Sequence, residues 1–160
     1  MVSTFSDGYV FLSICGRVML GLWRAPFSHV RLTKLRELAA TMRVQERGAL
    51  GMIAVFESDA IQLSVLSNEA LRRDAARLQS EFAESFTGGQ SIVLEGSGFA
   101  VAALRATAIA VQAVSRLGAH HVFHPSANAG IRFLAERMQL SAEEQRQIEA
   151  KLVAMRAEAR

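Results

Sequence analysis

Three groupings in this chain contain residue types that can carry chemistry: Gly96-Ser97-Gly98, His120-His121-Val122-Phe123-His124, and the serine-bearing stretch from Glu57 to Ser67. A glycine-serine-glycine turn ahead of a helix can present backbone N–H groups to a phosphate. A dinucleotide fingerprint, however, needs a third small residue where Val101 stands. It also needs an acid about twenty positions later, where 120–124 has none. Glu95 beside the turn would repel an anion, so these glycines read as a tight turn that lets the following helix pack closely on a sheet. On a strand, His120 and His124 lie about 13 Å apart on one face while His121 points to the other, so they cannot share a tetrahedral ion. Cys15 has no neighbouring base in the sequence and sits beside a hairpin turn, which reads as a strand position rather than a nucleophile. No catalytic residue, metal site or cofactor is assigned.

Other polar residues point to binding. Arg105 and Gln112 are seven apart and share a narrow polar stripe on an otherwise apolar helix. The stripe either meets water or lets Arg105 pair with Glu95 or an acidic partner near the strand ends. Trp23-Arg24, ending a strand, is either a buried tryptophan or a partner-facing pair of a kind common at interaction hot spots.

The apolar segments predict the elements that position these residues. Tyr9 to Cys15 and Val18 to Trp23 alternate with period two around Gly16-Arg17, a hairpin with a two-residue turn. Ser28 caps a helix with Phe27 and Leu32 at staple spacing and Leu32, Leu35, Leu38 and Met42 as its stripe. Leu50 to Phe56 is an unbroken apolar run, the signature of a strand covered on both faces. Ser67 caps a helix lined by Leu71, Ala75, Leu78, Phe82 and Phe86 and ended by Gly88-Gly89. Ser91 to Glu95 is the next strand, Phe99 to Leu117 an apolar helix, and His121 to His124 the last strand. Pro125-Ser126 opens a helix carrying Ala127, Ile131, Leu134 and Met138. Ser141-Ala-Glu-Glu144 is a capping box for a final charged helix. An arginine within Gly98 to Leu117 costs about 2.5–3.5 kcal/mol on insertion scales, so that run reads as a core helix and not a membrane span.

With 160 residues and 51% hydrophobic composition, the chain has the size of one domain with a single core. The formal charge is +3, and its 16 arginines and 2 lysines are interspersed with acids, so no basic block points to nucleic acid. One cysteine and no signal-peptide pattern at the N-terminus imply a reducing, cytoplasmic setting.

The order strand, strand, helix, strand, helix, strand, helix, strand, helix over roughly Gly8 to Met138 resembles the STAS domain of bacterial anti-sigma-factor antagonists. Gly21-Leu-Trp-Arg24, Glu95-Gly-Ser-Gly-Phe99 with Arg105, and Val122-Phe123 with Ala129 to Leu134 are similar to a STAS-like group of bacterial proteins. The resemblance implies an α/β fold with a mixed sheet of about five strands: an N-terminal antiparallel hairpin, then parallel strands joined by crossover helices. It also implies a non-enzymatic signalling role through protein–protein binding. Regulatory STAS domains carry a phosphorylatable serine or threonine after an aspartate at the helix start following the third strand. The equivalent stretch here, Glu57 to Ser67, is longer and lacks the glycine of that turn; Ser67 holds the position, as an N-cap or a phosphosite.

The expected binding rim gathers Ser58, Asp59, Ser67, Glu95, Gly96, Ser97, Gly98 and Arg105, because all follow parallel strands. The expected partner is a protein or a second copy; the alternative is a small apolar or lipid-like ligand, motivated by the apolar helix. Residues 1–140 form the STAS-like domain. Residues 141–160 form an accessory amphipathic helix whose stripe of Ile148, Leu152 and Met155 is too narrow to anchor a core. That helix either lies on its own domain or pairs with its copy in a two-fold dimer, and its removal is expected to leave the fold intact.

Overall fold

The computed structural model describes residues 4–60, 68–114 and 121–158, with the side chains of 71, 72, 75 and 107–114 left out. Six strands form one sheet in sequential order: β1 (Thr4–Ser6), β2 (Val10–Cys15), β3 (Val18–Trp23), β4 (Gly51–Phe56), β5 (Gly89–Leu94) and β6 (His121–His124). The pairs β1–β2 and β2–β3 are antiparallel, and β3 to β6 run parallel. Five helices are described: α1 (His29–Gln45), α2 (Glu69–Ser85), α3 (Phe99–Val114), α4 (Ala127–Met138) and α5 (Ala142–Glu158).

Local chemistry explains most boundaries. Gly16 adopts φ +53° between the paired Cys15 and Val18, the left-handed conformation that a two-residue hairpin needs. The Ser28 and Ser126 hydroxyls accept from the N–H of Arg31 and Ala129, each at 3.3 Å. At the start of α5 the capping box closes in both directions: Ser141 N–H donates to Glu144 Oε2 at 2.7 Å, and Glu144 N–H to Ser141 Oγ at 3.2 Å. The strand β1 adds to the expected sheet. Three residues, Thr-Phe-Ser, carry no readable period; they are placed by Asp7, whose Oδ1 accepts from Tyr9 and Val10 N–H at 2.9 and 2.8 Å and turns the chain back.

Sequential strand order decides how the sheet is covered. Right-handed crossovers repeated in one direction along a sheet put each crossover helix on the same face. Accordingly α1 and α2 bury Leu32, Leu35, Leu38, Met42, Leu78, Phe82 and Phe86 against Val10, Leu12, Met19, Met52 and Ala54. Over β5 and β6, α3 adds Val101 and Leu104 against Leu94 and Phe123. The opposite face holds Phe11, Val18, Leu20, Leu22, Ile53, Val55 and Val93 and, among the described residues, is covered by the last two helices. On this face α4 lies over β4 and β5, and α5 over β2 and β3. Gly130 lets α4 approach closely: a Cβ there would overlap Ser91 Oγ and lie 3.0 Å from Val93 Cγ2.

The narrow stripe of α5 is therefore used in full. Ile148, Leu152 and Met155 are 2, 2 and 4% exposed in the same cluster as Leu20 and Leu22. Of the two placements open to this helix, the structure shows it on its own sheet, where three large side chains suffice because α4 covers the rest of the face. Burying them contributes about 1.5–3 kcal/mol each, comparable in sum with the whole stability of a typical domain, about 5–15 kcal/mol. Truncation after Leu140 should consequently abolish cooperative thermal unfolding followed by circular dichroism. A truncated chain that still melts in one sharp transition would contradict this burial argument.

Candidate functional site

Parallel strands β3 to β6 all end at one rim. After β5 the chain enters α3 on one face, whereas after β6 it enters α4 on the other. Adjacent loops that part to opposite faces open the crevice in which open α/β sheets bind ligands. Here the crevice lies between 95–98 and 125–126, and Glu95 spans it.

Glu95 is half-buried and engaged at both oxygens. Oε1 accepts from the N–H of Ala127, in the first turn of α4, at 3.2 Å; Oε2 accepts from an Arg156 NH2 at 2.6 Å. The same guanidinium lies 3.9 Å from Glu57 Oε1, and Glu57 in turn accepts from Arg24 Nε at 2.7 Å. Four side chains, from the ends of β3, β4, β5 and α5, thus form one charge-alternating row against a helix N-terminus, where a negative charge is favoured. Each remains 22 to 33% exposed, so solvent screens the row and its worth lies in fixing geometry as much as in energy. The position that a bound anion would take at α4 is held by the chain's own carboxylate.

Arg105 does not pair with Glu95. Its Nε donates to Leu94 O at 2.9 Å, and its NH2 donates to Leu94 O and, at 3.3 Å, to Gly96 O. The half-buried arginine therefore satisfies carbonyls left free where β5 turns into α3. Gly96, at φ +118°, completes the turn, and a Cβ there would lie 2.8 Å from Ser58 Cβ. Ser58 and Asp59, in the 3₁₀ turn Ser58–Ala60, are exposed beside it with Ser97 and Gly98. The structure thus brings together Ser58, Asp59, Glu95, Gly96, Ser97, Gly98 and Arg105. Ser67, the phosphosite candidate, lies outside the described residues.

Trp23 faces the core and not a partner. It is 1% exposed, stacked on Phe56 with ring centroids 5.5 Å apart and edge-on to Phe27 at 4.9 Å. Cys15 is half-buried, and burial pushes its thiol pKa up although Lys151 pulls it the other way, the reverse of an activated nucleophile. His121 lies 3.1 Å, Nε2 to Nε2, from the Gln79 amide on one face, while His124 packs on Phe133 at 5.1 Å on the other. Among the described residues no three metal-ligating side chains converge, and His120 is outside them. Also among the described residues, no helix is long and apolar enough to cross a membrane.

Two features of the rim escape sequence reasoning. Arg156 follows the buried Met155, but nothing in the sequence signals a partner 61 residues away. Tyr9, Val30 and Phe99 are 61, 68 and 87% exposed, whereas their apolar character alone suggests burial. Compared with known proteins, the chain has no match to a family model and no significant match to a curated protein or a solved structure.

The histidines make stability depend on pH. Burial lowers the pKa of His121 and of His124, so the unfolded chain takes up more protons than the folded one below the ordinary imidazole value of about 6.5. Their contribution is fully present above that value and is lost as pH falls through it. The melting temperature should drop between pH 7.5 and 5.5, and His124→Phe should flatten the drop. An unchanged slope in that variant would show that His124 is not a source.

Proposed function

We propose that this chain is a non-enzymatic, STAS-like interaction module that presents its carboxyl-end rim to a protein partner in bacterial signalling. One observation carries the reading. Of the five large apolar side chains left exposed among the described residues, Tyr9, Val30 and Phe99 sit at this rim, while Val44 is at the far end of α1 and Val153 on the outer side of α5. Tyr9 and Val30 are neighbours of Asp7 and Arg31, which join the β1–β2 turn to α1 through a 2.7 Å ion pair. Phe99 opens α3 directly after the exposed Ser97 and Gly98. Aromatic and aliphatic side chains held on a rigid rim and surrounded by polar groups are the anchors typical of a protein interface. The rim charges support the same reading, because Glu57, Glu95, Arg24, Arg105 and Arg156 are committed to one another and to backbone.

The second reading, a carrier or sensor of a small apolar ligand, loses part of its original motive. The described apolar positions Val101 and Leu104 of α3 are spent against Leu94 and Phe123.

A photo-crosslinking amino acid at position 99, with a control at position 44 on the opposite rim, tests the interface reading in the native host. A discrete protein adduct, or an adduct of twice the chain's mass, should form from 99 and not from 44. Equal labelling at both positions, or none at 99, would contradict it.

A further inference from the structure

The two edges of the sheet are not alike. At one edge, β6 lies between α3 and α4, which pack on its two faces. At the other, β1 has β2 as its one substantial neighbour among the described residues, so its outer backbone N–H and C=O groups have no strand beside them. Exposed edges are usually guarded by a lysine, a proline or a bulge, which prevent pairing with another chain. Thr4-Phe5-Ser6 has no charge and no proline, and its register with β2 runs unbroken. Only its length, three residues, limits what can add there to a weak and reversible contact.

The side chains flanking this edge repeat one pattern from end to end. Phe5 turns to the α1 face, where it packs on the core yet stays half-buried, with part of its ring open at the edge. On the other face Thr4 and Ser6 are exposed, and Lys151 and Glu158 of α5 border the open groove beside them. The helix runs from the β2–β3 turn, where Glu144 lies 3.5 Å from Arg17, to the carboxyl-end rim, where Arg156 meets Glu95. Lys151, whose charge acts on the Cys15 thiol, therefore stands at the Thr4 end of β1, and Glu158 at the Ser6 end. Among the described residues neither has an ion pair, whereas Arg146 and Arg156 of the same helix are matched to Glu143 and Glu95. A cation at one end, a carboxylate at the other and an aromatic ring between them complement their own two-fold image.

We propose that β1 pairs antiparallel with β1 of a second copy, about a two-fold axis normal to the sheet and passing beside Phe5, so that one sheet runs through both copies. The two Phe5 rings then form a cross-strand aromatic pair on the α1 face. On the α5 face, Lys151 of each copy stands across the joined grooves from Glu158 of the other. The occupant is a second copy because only the same α5 row, rotated, supplies both opposite charges at this spacing; a foreign strand would have to bring them. Such an isologous contact uses the β1 edge of both copies and closes at two. The edge lies on the opposite side of the sheet from Phe99, so this contact and the rim interface can fail independently.

Sedimentation velocity of the full chain over roughly 5–500 µM tests it, and a reversible monomer–dimer equilibrium of the weak class that small interfaces form is expected. Lys151→Glu and Glu158→Lys should each weaken dimerisation by about fivefold, because two symmetric, solvent-screened pairs turn from attractive to repulsive. The double variant that exchanges the two charges should recover the native value, and about 0.5 M NaCl should shrink all these differences. Both positions reach solvent, so the variants should fold, which their melting curves check. Amide NMR shifts on dilution should centre on Thr4 to Ser6. The proposal is overturned by a chain that stays monomeric throughout, by single charge reversals that leave the dimer unchanged, by a double variant that does not restore it, or by dilution shifts centred on β6 or on Phe99.

Discussion

The constraint on which this molecule depends is that its central strands are apolar on both faces. The strand β4 turns Met52 and Ala54 to one side and Ile53 and Val55 to the other, and all four are buried. Sequential strand order sends all three crossover helices to a single face, so the second face must be covered from elsewhere. Among the described residues that cover comes from the two C-terminal helices, α4 and α5. The C-terminal helix is thereby part of the core, and its position is set by the need to keep Phe11, Leu20 and Leu22 from water.

Docking of α5 has a consequence at its C-terminal end. Its last turn reaches the carboxyl-end rim, where Arg156 joins Glu57 to Glu95 and Glu95 meets the start of α4. The crevice that strand topology opens is thus closed by internal charge pairing, and Tyr9, Val30 and Phe99 face outward at the rim together with the exposed Ser58, Asp59 and Ser97. Towards the sheet edge, α5 and the short strand β1 border an open groove beside Lys151.

Much of this was legible from residue types. The hairpin, the doubly covered β4, the caps at Ser28 and Ser126 and the capping box at Ser141 all rest on local rules, and each occurs where the spacing places it. What was not legible depends on distant contacts. The strand β1 is ordered by pairing with β2 and by the Asp7 side chain, which a three-residue segment cannot advertise. The weight carried by Ile148, Leu152 and Met155 follows from the bare face they meet, and a helix stripe shows its own width only. Most rim residues expected from strand ends do gather, because parallel strands force their following loops to one side. Their pairings did not follow, since Arg105 had carbonyls closer to hand than Glu95.

If the two-face burial account is right, α5 and the central strands form one cooperative unit. Native-state hydrogen exchange of the full chain measures this residue by residue. The account predicts that the amides of Ile148 to Leu152 exchange with the same opening free energy, and the same denaturant dependence, as those of Leu20 and Ile53. Exchange of the α5 amides through a small local opening, at a free energy well below that of β3 and β4, would contradict it.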